Sequence, residues 1–243
     1  MKNHFYNSDV FFKLAFGQNN KKSYMLRRFL VEGVVGNDIS VEYTCVNPEI
    51  TPQIISNKKA ILDIYMNMGE VEIDIEMQRS KLSPFVNRRF MHYASKLINY
   101  QLKPGQSSGS LKDLIQIIFI EDVDKRNPCL IDRYCSRNLS LNKQLGYIQT
   151  TIYIYLPYIN EIANNNTLNE WEAIIYLLHN GELNNIEHEK GEMIDMLEKM
   201  YAEFNQDENL IKETSLRYYT EVDLNEWHDY DVKVAKEQGI EKG

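Results

Sequence analysis

Asp63 interrupts a short apolar run, Ile61-Leu62-Asp63-Ile64, and Glu76 and Gln78 close a second run, Val71–Gln78. Successive side chains on a strand point to opposite faces. Val71, Ile73, Ile75 and Met77 therefore share one face, and Glu72, Asp74, Glu76 and Gln78 share the other. Asn67-Met68-Gly69-Glu70 separates the two runs, so residues 60–66 and 71–78 predict a β-hairpin. An aspartate within an apolar strand is costly to bury without compensation. Two carboxylates facing each other across a hairpin repel. A divalent cation relieves both problems, and Mg²⁺ favours carboxylate and water oxygens while keeping several waters. Asp63 and Glu76 are thus candidate metal ligands, with Gln78 beside them. The same spacing also fits a solvated polar strand face with Asp63 near a strand end. Spacing alone leaves both readings open.

Positioning such a site takes further elements. Residues 9–17 predict a short helix that Ser8 can cap and Gly17 can end. A second helix is expected over residues 21–30, stopping near Gly33, and a strand over residues 41–46. Ser83-Pro84 opens a long helix that reaches about Leu102, where Lys103-Pro104-Gly105 breaks it. On this helix Phe90, Met91, Ala94, Leu97, Ile98 and Leu102 fall in one arc. Arg88, Arg89, His92 and Lys96 occupy the opposite arc, where a basic face could grip phosphates; a solvated helix face is the alternative. Residues 114–121 read as a strand buried on both faces, and residues 147–156 as another that ends at Pro157. The rest is expected to be helical, with Trp171, Ile174, Ile175 and Leu178 on one face.

Charge divides along the chain. Residues 1–150 hold 20 Lys and Arg against 15 Asp and Glu; residues 151–243 hold 7 against 20. The formal net charge of -8 therefore comes from the second half, which disfavours that half as a nucleic-acid surface. Cys45, Cys129 and Cys135 form no CxxC pair, and the five histidines show no HExxH spacing, so no zinc site is expected. No signal peptide and no run of roughly 20 apolar residues is seen. The expectation is a cytoplasmic protein without a membrane partner.

Several segments together resemble one family. They are Asp9-xx-Phe12-Lys13-xx-Phe16-Gly17, Leu62-Asp63-Ile64, Ile75-Glu76-Met77-Gln78, Arg88 through Tyr93, and Lys96-Leu97. In this order they resemble the PD-(D/E)XK nuclease family transposases, also described as recombination-promoting nucleases, and the resemblance spans most of the chain. It implies a mixed α/β fold with a restriction-endonuclease-like core of αβββαβ order. With the element order above, this gives a core over residues 1–157 and an acidic helical extension over residues 158–243.

The resemblance also implies metal-dependent cleavage of DNA. Asp63 and Glu76 match the family's motif acids. Gln78 takes the place where the wider superfamily usually has Lys. Mg²⁺ is the expected cofactor, with Mn²⁺ able to substitute, and DNA is the expected partner. Arg88, Arg89 and Lys96 are the candidate DNA contacts. Asp9 and Lys13 match an accessory N-terminal motif. The acidic half is expected to serve self-association or to restrain access to the core. A second reading keeps the nuclease fold as a silent nucleic-acid-binding or regulatory module, which the intact Asp63, Glu76 and Gln78 set disfavours. A third, a partner-binding module resting on the acidic half, leaves the hairpin carboxylates without a purpose.

Overall fold

The polar face that alternation gives the hairpin is covered rather than solvated in this fold. The computed structural model describes residues 9–36, 44–46, 63–68, 71–79, 81–143 and 149–206. The helices are α1 (Asp9–Gly17), α2 (Lys21–Val35), α3 (Pro84–Gln101), α4 (Ile159–Asn165), α5 (Glu170–Asn180) and α6 (Glu192–Gln206). The strands are β1 (Thr44–Val46), β2 (Ile64–Met68), β3 (Val71–Gln78), β4 (Asp113–Ile120), β5 (Ile131–Cys135) and β6 (Gln149–Tyr155). They form a mixed sheet in the order β1-β2-β3-β4-β6-β5. The first three are antiparallel neighbours; β3, β4 and β6 run parallel; β5 closes the edge antiparallel to β6. The α/β order through β4 is the one expected.

Register fixes what each face carries. Tyr65 and Asn67 of β2, Glu72 and Asp74 of β3, and Leu114 and Gln116 of β4 share a face with Glu76, Gln78, Ile118 and Ile120. Helix α3 covers this face. Its Val86 and Phe90 pack with Ile118, Ile120, Tyr153 and Tyr155. Its Ala94 and Leu97 pack with Tyr65 and Leu114. Ser83 caps α3 by accepting from the Val86 N–H at 3.2 Å, with Pro84 at the first helical position. The opposite face is apolar. Phe12 of α1 meets Phe119 there, ring centroids 5.8 Å apart.

Three expectations need correction. Helix α2 does not stop near Gly33 but continues to Val35, with Gly36 at φ 91 beyond it. Gly33 serves packing: a Cβ there would lie 2.1 Å from Trp171 Cδ1, and the Trp171 indole N–H donates to the Leu30 carbonyl at 3.0 Å. Strand β5 was not expected, because its Ile131-Asp-Arg-Tyr-Cys135 sequence lacks an apolar alternation. Met91 lies outside the buried stripe of α3 and is 65% exposed.

Of the expected hairpin strand over residues 60–66, residues 60–62 lie outside the described residues, as do Ser8, residues 41–43 and residues 147–148 of two further elements. The described residues up to Met200 belong to one compact unit. Among the described residues no helix is long and apolar enough to cross a membrane.

Candidate active site

The hairpin register pairs Ile64 with Ile75, which brings Asp63, just ahead of β2, opposite Glu76. Two hydrogen bonds hold them. The Met77 N–H donates to Asp63 Oδ2 at 2.8 Å, and the Asp63 N–H donates to Glu76 Oε1 at 3.2 Å. Lys13 of α1 reaches the same aspartate, with Nζ 2.7 Å from Oδ1. The structure thus brings together Asp63, Glu76 and Lys13 from three separate segments. Asp9 opens α1, and its side chain lies outside the described residues.

The polar face of β3 is not solvated. Glu72, Asp74, Glu76 and Gln78 are 4%, 0%, 5% and 4% exposed under α3. Each needs a partner in such a place, and most partners are neutral or cationic. Gln116 donates to Asp74 Oδ2 at 3.0 Å and to the Phe90 carbonyl at 3.1 Å. Gln101 donates to Glu72 Oε2 at 2.9 Å. Arg89 donates to Gln78 Oε1. Arginine can only donate, so the atom facing it is the amide oxygen and Nε2 remains the donor end of Gln78.

Burial leaves a mark on the acids. It pushes the Asp74 carboxyl up to about 7, and the Asp63 charge adds to the shift against hydrogen bonds that favour the ionised form. Glu76 is held well above the usual carboxylate range, first by burial and then by the charges of Asp63 and Asp74; Arg89 opposes this. The site therefore crowds carboxyl groups in a poorly solvated place, where ionising them together is costly. Among the described residues no group of three or more His, Cys, Asp or Glu side chains is arranged to hold a metal. The donor set nevertheless fits a hard divalent cation that takes two carboxylates and keeps its waters. Asp63 and Glu76 would supply the oxygens, and a cation between them would relieve their repulsion.

The candidate DNA contacts separate. Arg88 is exposed, Arg89 is half-buried against Gln78, and Lys96 is 9% exposed. Lys96 therefore does not belong to an outward basic face, because the helix turns it toward the protein. Sequence reasoning missed Gln116, whose signal was the one Asp63 gave: a lone polar residue in an apolar run. It also missed the cluster past the strand ends. There Arg79 Nη1 lies 2.7 Å from Glu121 Oε1, and His179 Nδ1 lies 2.9 Å from Glu121 Oε2. The Glu121 N–H donates to the Gln78 carbonyl at 3.0 Å, which ties β4 to β3 beside the acids.

Among known proteins, the family model for PD-(D/E)XK nuclease family transposases matches residues 6–231 of the 243. No curated protein matches the chain.

Proposed function

Because the chain belongs to the PD-(D/E)XK nuclease family transposases, a family of nucleic-acid hydrolases, we propose that it is a metal-dependent DNA endonuclease serving recombination or mobile-element activity. The observation that carries this reading is the buried meeting of Asp63 and Glu76 across the hairpin, with Glu76 held above its ordinary range. Asp63 and Glu76 would hold Mg²⁺, or Mn²⁺ in its place. The ion, when bound, supplies Lewis acidity that acidifies water and offsets charge building on the phosphate. The protein's own part is placement. Met77 fixes the Asp63 carboxylate through its N–H, and α3 excludes water from the strand face behind Glu76. Arg89 orients Gln78 so that its Nε2 N–H, which carries no charge, can position the attacking water or a phosphate oxygen. Arg88, which is exposed, would meet the DNA backbone. We read the protein as cytoplasmic, a reading supported by three cysteines, an odd number with no CxxC pair.

Nicking or linearisation of supercoiled plasmid, in Mg²⁺ and in EDTA, tests the proposal with Asp63→Ala as control. Cleavage is expected from the wild type in Mg²⁺ alone. Equal cleavage by Asp63→Ala, or by wild type in EDTA, would contradict it.

A further inference from the structure

The reaction outlined above gives Lys13 no part, yet Lys13 touches its central acid. The ammonium lies 2.7 Å from Asp63 Oδ1, and the two side chains are only 12% and 11% exposed. A rigid helix delivers it. Phe11, Phe12, Ala15 and Phe16 of α1 are wholly buried, and the Phe12 ring packs at a tilt against both Phe16 and Phe119. Buried Arg27 of α2 closes the helix's C-terminal end, donating to the Phe16 and Gln18 carbonyls at 2.6 and 2.7 Å. Lysine on such a scaffold is a preorganised cation rather than a mobile surface charge.

The site needs one. Three carboxyl groups, those of Asp63, Asp74 and Glu76, crowd a poorly solvated place, and a phosphodiester would bring further negative charge to it. Gln78, two residues beyond the second acid, is neutral, and Arg89 is engaged with its Oε1. A phosphate bound beside a cation that Asp63 helps to hold would lie near Asp63, and Asp63 Oδ1 touches Lys13.

We propose that Lys13 is a catalytic residue of this site. It neutralises Asp63 in the metal-free protein. With Asp63 engaged in holding a cation, Lys13 would turn its ammonium to a non-bridging oxygen of the scissile phosphate. One N–H···O contact is exchanged for another, and no proton leaves Nζ. The charge that Gln78 lacks is thereby supplied from α1. This rests on the nuclease reading.

The test uses the full chain, as wild type, Lys13→Met and Lys13→Arg. Plasmid cleavage by Lys13→Met should fall by about a hundredfold, as for loss of a donor aimed at developing charge. Binding of a short duplex in Ca²⁺, followed by fluorescence anisotropy against salt, should lose about one unit of log–log slope. Lys13→Arg should recover that slope, and the Mn²⁺-induced rise in melting temperature should survive in both variants. Wild-type lysine acetylation, read by mass spectrometry, supplies a measurement that needs no variant to fold. Labelling of Lys13 should rise when Mn²⁺ is added and fall when duplex is added in Ca²⁺. Cleavage by folded Lys13→Met within about threefold of wild type, an unchanged slope, or labelling that DNA leaves unaltered would each overturn the proposal. A wild type that neither cleaves nor shifts with metal would instead sink the nuclease reading beneath it.

Discussion

Asp74 and Glu76 stand two residues apart on one buried strand face, and each has its carboxyl shifted upward. A carboxyl whose folded-state value is raised binds more protons folded than unfolded, so its stabilising effect is full below the unfolded value and is lost as pH rises through the folded one. For Asp74 that window runs from the ordinary value of 3.8 to about 7. The metal-free protein should therefore melt lower at about pH 7.5 than at about pH 5.5, and Asp74→Asn should reduce the difference. An unchanged difference in Asp74→Asn would assign the pH dependence to other groups. Gln78 makes a separate case. Its Arg89-facing oxygen marks it as an orienting group, so Gln78→Ala should slow cleavage by about tenfold or more while the metal-induced melting shift stays. A lost shift would make Gln78 a ligand instead. The candidate acids were legible because carboxylates in or beside apolar runs need a reason. Their partners were less so: Gln116, Arg89 and Lys13 come from β4, α3 and α1, and only the folded register shows which polar groups meet.

At the scale of elements, helices with strong caps and strands with apolar runs were readable, as with Ser83-Pro84 opening α3. Where a long-range contact set the outcome, local rules misled. Gly33 reads as a helix stop, yet it lies within α2 because Trp171 of α5 occupies the space a side chain would take. Gly33→Ala should thus lower stability by about 1–3 kcal/mol by overpacking, despite alanine's better helix propensity. Trp171→Ala alone should cost about 3–5 kcal/mol. In the Trp171→Ala background the clash is gone, and Gly33→Ala should become neutral or stabilising. Chemical denaturation of the four proteins reads this coupling directly, and additive effects would contradict it. Strand β5 escaped notice for the opposite reason. Asp132, Arg133 and Tyr134 show no buried alternation, because an edge strand needs only one neighbour to satisfy its ladder.

For the whole molecule, the charge division was visible in composition, whereas the packing of the later helices was not. Trp171 of α5 packs against Gly33 of α2, so a helix beyond Pro157 touches one from the first half of the chain. If the basic first half carries the DNA contacts, Arg88→Ala should weaken duplex binding and lower the log–log salt slope by about one unit. An unaltered slope in a folded variant would place the DNA elsewhere. More local is the proposal that Asp63 and Glu76 would together hold a divalent cation. A ligand that binds only the native state stabilises it by about 2.7 kcal/mol at roughly 100 times Kd. The most direct measurement is the Mn²⁺-induced change in melting temperature of wild type and Asp63→Asn, each referred to EDTA. The wild type should rise clearly, and Asp63→Asn, which keeps the shape and removes one charge, should lose most of that rise. An equal rise in both proteins would show that Asp63 holds no metal.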